Sequence, residues 1–114
     1  MLTLEKLKEF GADTDEGLAR CMNNEDFYLK MVGMGIADER FDSIKGVLES
    51  GNYEEAFEIA HALKGVLGNL ALSPIYDPMS EMTELLRSKD SSADPMPYYT
   101  KMKSELDRLR KLIA

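Results

Sequence analysis

The chain has 114 residues, 44% of them hydrophobic and 31% charged, which suits one domain with its own core. Its apolar runs are only a few residues long, too short to cross a membrane as a helix. A net charge of −7 argues against a duplex nucleic-acid binder, and a single cysteine, Cys21, excludes an internal disulfide and a cysteine-based zinc site.

The charge is unevenly spread. Residues 1–100 hold 9 Lys+Arg against 19 Asp+Glu, a balance of −10, whereas residues 101–114 hold 5 against 2, a balance of +3. Cations near the end of a helix meet the negative end of its dipole, so the basic tail reads as a helix terminus and not as a nucleic-acid patch. The first residues, MLTLEKLKEF, lack the basic start and continuous apolar stretch of a signal peptide. With the lone cysteine, this points to a cytoplasmic protein.

Every segment reads as helix, and no run alternates at period two long enough for a strand. Thr3 is placed to cap a short first helix that Gly11 ends. A second short turn is expected over 15–21. Asn23 or Asn24 opens a third, on which Phe27, Tyr28, Met31, Met34 and Gly35 recur at helical spacing. Asp38 opens the next, with a stripe of Phe41, Ile44, Val47 and Leu48 and a stop at Gly51. Asn52 and Glu55 resemble a capping box at the start of a long helix that runs to about Leu70. Ser73-Pro74 is the expected start of the following helix, with Asp77-Pro78 as the alternative. Its stripe is Ile75, Met79, Met82 and Leu86, and it stops near Lys89. Residues 90–95 read as a loop, and Tyr99, Met102, Leu106, Leu109 and Ile113 form the seam of a last helix over 96–113. The seven methionines beyond Met1 fall at helical spacing and read as core filler, not as metal ligands.

The fold expected is all-α: an antiparallel four-helix bundle over residues 38–114, with a helical cap of short N-terminal helices over residues 1–37 packed on one end, in a single domain 1–114.

The long helix after Asn52 holds the only histidine, His61, followed by Lys64, Gly65 and Gly68. Each interior glycine costs about 1 kcal/mol relative to alanine, so two of them need a reason. On a helical wheel with Ala60 at the centre of the buried face, Tyr53, Ala56, Phe57, Leu63, Leu67 and Ala71 fall within roughly 60° of that centre. Lys64 lies at about 40°, Gly68 at about 80°, His61 at about 100° and Gly65 at about 140°. The imidazole is therefore expected at the rim of the buried face, with little side-chain bulk beside it. The glycines serve either close packing within the bundle or close approach by another protein, and their rim position favours the second. Alone, His61 is an ordinary surface histidine. With Lys64 one turn on, it is a nitrogen nucleophile whose phosphorylated form has an ammonium within reach. A metal-dependent hydrolase is the weakest reading, because one histidine, and hence no pair of Glu-x-x-His motifs, leaves too few ligands.

The stretch His61-Ala62-Leu63-Lys64-Gly65, with Gly68, Asn69 and Leu70 after it, resembles the His-x-x-Lys-Gly signature of histidine-containing phosphotransfer (HPt) domains. The family's four-helix bundle agrees with the reading above, and the length suits a free-standing member. The resemblance implies that His61 accepts a phosphoryl group through Nε2, that Lys64 stabilises its charge, and that Gly65 and Gly68 leave room for a response-regulator receiver domain. It implies a carrier in a two-component phosphorelay, without kinase activity of its own, whose partners are receiver domains and, upstream, a hybrid sensor histidine kinase. No cofactor or metal is expected on this chain, because the Mg²⁺ that assists transfer belongs to the receiver. A monomer is expected. The competing expectation is a non-catalytic helical module that docks a partner without carrying phosphate. One position departs from the family pattern: Ala71 stands where many members have glycine, and the wheel turns it towards the core.

Overall fold

Short polar side chains start most of the helices. In the computed structural model, which describes residues 1–88 and 93–114, the Thr3 hydroxyl accepts a hydrogen bond from the Lys6 N–H at 3.1 Å and opens α1 (Leu4–Phe10). Asp13 does the same for α2 (Thr14–Arg20), and Asn24 for α3 (Glu25–Ile36). Each satisfies an amide that the first turn leaves without a partner. The Asp38 carboxylate accepts from the Arg40 N–H at 2.9 Å and grips the Arg40 guanidinium at the start of α4 (Arg40–Glu49). That guanidinium holds the Asp38 carboxyl below its ordinary range. Asn52 accepts from the Glu55 N–H at 3.2 Å and opens α5 (Tyr53–Asn69). Glu55 answers by accepting from the Asn52 side-chain amide, so the capping box closes side chain to side chain.

Two further helices follow, α6 (Ser73–Arg87) and α7 (Met96–Ile113). α6 starts at Ser73 itself, with Leu72 at the cap position and no side-chain cap bond; Pro78 lies within the helix instead of opening it. Of the loop expected over 90–95, residues 90–92 lie outside the described residues, as does Lys89 at the expected end of α6. All seven described elements are helices, and no strand occurs among the described residues.

The helices pack in the order of the chain. α5 lies along α6, α6 along α7 and α4 along α5, and α4 touches α7. Contacts between side chains give the directions. Phe57 meets Arg87, Lys64 meets Glu84 and Gly68 meets Tyr76, so α5 and α6 run in opposite senses. Arg110 donates to the Ile36 carbonyl and Lys103 pairs with Asp42 at 3.2 Å, so α7 runs opposite to the chain entering α4. Most of the expected stripes of α4, α6 and α7 are buried: Phe41, Ile44 and Leu48; Ile75, Met79, Met82 and Leu86; Tyr99, Met102, Leu106 and Leu109. Val47 and Ile113, expected among them, are only partly buried against that core.

The expected stripe of α3 is corrected. Its buried side chains are Tyr28, Val32 and Ile36, while Phe27 and Met34 are 42% and 60% exposed. The apolar residues of this helix cover more than one face, so spacing alone does not say which face turns inward. Gly35 shows which one does. A Cβ there would lie 2.7 Å from Leu70 Cδ1 and 3.3 Å from Val66 Cγ1, so this glycine lets α3 press against the end of α5.

The N-terminal helices gather at the same end. The Tyr28 hydroxyl donates to the Leu70 carbonyl at 2.8 Å, and the Asp13 N–H donates to the Ala71 carbonyl at 3.0 Å. The chain's amino terminus donates to the Ile113 carbonyl, and Arg108 reaches the Phe10 carbonyl at 2.9 Å with its guanidinium over the Phe10 ring.

The end of α5 differs from the wheel. The helix stops at Asn69, and Ala71 has φ 56°, in the left-handed region. The Ala71 N–H bonds to the Gly68 carbonyl and the Leu72 N–H to the Leu67 carbonyl, both at 3.1 Å. This is a Schellman turn, with Leu67 and Leu72 both buried beneath it. Ala71 is buried as expected, but the turn carries it inward and the helical period does not.

Candidate functional site

His61 lies on α5 two helical turns before the end of the helix, and it is exposed. Its neighbours on the buried side, Ala60, Leu63 and Leu67, are fully or almost fully buried and anchor the helix. The backbone that carries the imidazole is thus clamped from behind while the ring faces solvent. Phe57, one turn earlier, stacks on it with ring centroids 5.7 Å apart and planes 14° from parallel. Such an offset aromatic stack restricts the ring's rotation and covers one of its faces.

Lys64 follows on the next turn. Its side chain is 23% exposed, and its ammonium lies 3.5 Å from Glu84 Oε1 on α6. Arg87 approaches the other oxygen of the same carboxylate, Nε to Oε2, at 3.3 Å. The Arg87 guanidinium carbon also sits 5.0 Å above the Phe57 ring. Glu54 and Glu58, on the His61 side of the helix, are exposed.

The two glycines part company. Among the described residues, a Cβ at Gly65 would meet nothing within 4 Å, so the helix surface beside the histidine is open. A Cβ at Gly68 would lie 3.2 Å from the Tyr76 ring. Gly68 therefore has a packing role inside the molecule, seating an aromatic side chain of α6, whereas Gly65 has none.

His61, Lys64, Gly65 and Gly68 share one groove of about 520 Å³. Tyr76 and Asp77 of α6 form one wall, and Glu16 and Arg20 of α2 stand at its far end. Arg20 is held there by Glu16 at 3.0 Å and by the Asn69 side-chain oxygen at 3.3 Å. Beyond Asn69 the surface continues as shallow apolar hollows lined by Phe27, Met31 and Met34 of α3 with Val66 of α5 and Leu70 just past its end. Among the described residues, no three His, Cys, Asp or Glu side chains come together as a metal site, and no helix is long and apolar enough to cross a membrane.

The structure thus brings all four residues singled out in the sequence to one face. Missing from that reading were Phe57 as the partner of His61, and Glu84, Arg87, Tyr76 and Arg20. Phe57 is four residues before His61, the spacing at which helix side chains touch, and was legible on that ground. The others come from α2 and α6, and nothing local to α5 points to them.

No curated protein and no solved structure matches the chain. The family model for the Hpt domain matches residues 36–112, more than half of the chain. That span contains α4, α5 and α6 whole and α7 up to Leu112, including His61 and the lysine and glycines beside it. The chain belongs to the Hpt domain family, whose members serve phosphotransfer in two-component signalling.

Proposed function

We propose that this chain is a phosphorelay carrier, in which His61 takes a phosphoryl group from, or gives it to, the aspartate of a receiver domain. The observation that carries the reading is an exposed imidazole on a firmly packed helix, with open helix surface at Gly65 next to it. A receiver must bring its aspartyl phosphate in line with the attacking nitrogen, and this requires a low surface at the histidine.

In the transfer, the lone pair of His61 Nε2 forms the N–P bond as the P–O bond to the aspartyl carboxylate breaks. The bonding pair leaves with the carboxylate, and the imidazole ring shares the charge it gains with its Nδ1 proton. The reverse step returns the phosphoryl group to a carboxylate. Lys64 supplies positive charge one turn from the nucleophile, where charge on the phosphoryl oxygens needs compensation. The Phe57 stack limits the directions the imidazole can face. Gly65 admits the receiver, and Gly68 keeps the neighbouring wall in place by seating Tyr76. The apolar hollows of α3 extend the surface on which a receiver docks. Mg²⁺ is held by the receiver. The chain acts as a monomer, loaded by a receiver or through a hybrid sensor kinase, and has no kinase activity of its own.

The test is incubation with a phosphorylated receiver domain from the same organism. The chain is expected to acquire an acid-labile phosphate that His61→Gln abolishes while the helical circular dichroism and melting temperature are kept. Lys64→Ala is expected to slow the transfer. A receiver that binds with no label transferred indicates instead a docking module that carries no phosphate.

A further inference from the structure

Lys64 does not wait beside His61 with its charge free. It is engaged on α6, 3.5 Å from Glu84 Oε1, while Arg87 holds Glu84 Oε2 at 3.3 Å. Glu84 is one turn before Arg87, so one carboxylate receives one cation from its own helix and one from α5. Arg87 also covers Phe57, which stacks on the imidazole. The imidazole, Phe57, Arg87, Glu84 and Lys64 form a continuous chain of contacts around the site.

We propose that Glu84 is the resting counter-ion of Lys64, and that phosphorylation of His61 draws the ammonium from Glu84 to the phosphoryl oxygens. The inference rests on His61 being the carrier. Glu84 is then a positioning residue that sets how strongly the site holds phosphate, without touching the phosphoryl group itself. Three points support it. A phosphoryl group carries close to two negative charges and the carboxylate one, so the ammonium gains by moving. The Glu84 side chain is 55% exposed, and an exposed pair of this kind is worth only about a two- to fivefold factor in equilibrium. Arg87 stays on the second carboxylate oxygen, so Glu84 keeps a counter-charge after Lys64 leaves.

The experiment uses phosphoramidate, which transfers its phosphoryl group to the imidazole nitrogen and releases ammonia. With phosphoramidate and ammonium both at fixed concentrations, the ratio of phosphohistidine to free histidine at equilibrium reports the affinity of the site for phosphate, read by ³¹P NMR. Glu84→Gln is expected to raise that ratio about two- to fivefold, because Lys64 no longer has to leave a partner. Lys64→Ala is expected to lower it. In the Lys64→Ala background, Glu84→Gln is expected to change nothing. An unchanged ratio in Glu84→Gln overturns the proposal. So does an equal rise with and without Lys64, which assigns Glu84 a long-range repulsion of phosphate and no hold on the lysine. If the wild-type chain acquires no phosphohistidine at all, His61 is not the carrier and both readings fall together. Loading that is insensitive to Glu84 removes this inference alone.

Discussion

Ala71 occupies a backbone conformation that suits a different residue. At φ 56° its Cβ crowds the carbonyl, a strain of about 1–2 kcal/mol that glycine avoids. The Schellman turn it completes holds the end of α5 and offers the Ala71 carbonyl to Asp13. What favours glycine at this position is the turn and not core packing. Ala71→Gly gives up one buried methyl, about 0.8 kcal/mol, against that strain. The expected outcome is a gain of about 0.5 kcal/mol, seen as a rise of about 2–4 °C in melting temperature. A fall would mean that the methyl contributes more than the strain costs.

At the scale of the element, α5 divides its tasks around its circumference. Ala56, Ala60, Leu63 and Leu67 bind it to the rest of the molecule, and His61 and Gly65 face outward. Gly65 is the informative position, because nothing among the described residues needs it to be small. Gly65→Gln is therefore expected to stabilise the fold by about 0.5 kcal/mol through helix propensity, measured by urea denaturation. The same change is expected to raise the receiver concentration needed for half-maximal transfer about tenfold, by placing a side chain where the receiver approaches. A protein that gains stability and loses no transfer would return Gly65 to an unexplained surface position. Glycines of the other kind are found at the junctions of elements: Gly35 against Val66 and Leu70, Gly68 against Tyr76, and Gly17, where a Cβ would lie 2.5 Å from the Tyr28 ring. There the backbone of one element gives space to a side chain of another.

Across the whole molecule, one core runs through the N-terminal helices and the four that follow. Leu7, Phe10, Tyr28, Val32 and Ile36 belong to the same buried cluster as the side chains of α4 to α7. Tyr28 is the joint between the two parts, with its ring over Gly17 and its hydroxyl on the Leu70 carbonyl. Burial pushes its phenol up to about 12 from 10. Below about pH 10 both folded and unfolded chains keep the phenolic proton, and the contribution of Tyr28 is whole. Above that the unfolded chain ionises first, and the contribution fades as the pH rises through about 12. Tyr28→Phe is expected to lower stability by about 1 kcal/mol at neutral pH, the value of one buried hydrogen bond. It is also expected to make the alkaline loss of stability between about pH 10 and 12 shallower, as followed by urea midpoints across that range. An alkaline limb as steep as that of the parent would mean that other groups, such as the buried Tyr99, carry it.

The sequence by itself determined the helices and the chemistry of the site helix. Caps such as Thr3, Asn24 and Asn52 and the stripes of α4, α6 and α7 are local patterns, set by hydrogen bonds within one turn and by the helical period. His61, Lys64 and Gly65 are legible for the same reason, since residues three and four apart share a face. Tertiary structure decided which face of α3 turns inward, because apolar residues on several faces leave the period ambiguous. It decided that Gly68 seats Tyr76 while Gly65 stays open, although the two lie on the same side of one helix. It also decided that Lys64 rests on Glu84, twenty positions along the chain and on a different helix. The physical reason is common to all three: a local pattern says which side chains a helix presents together, but only packing brings another helix to meet them.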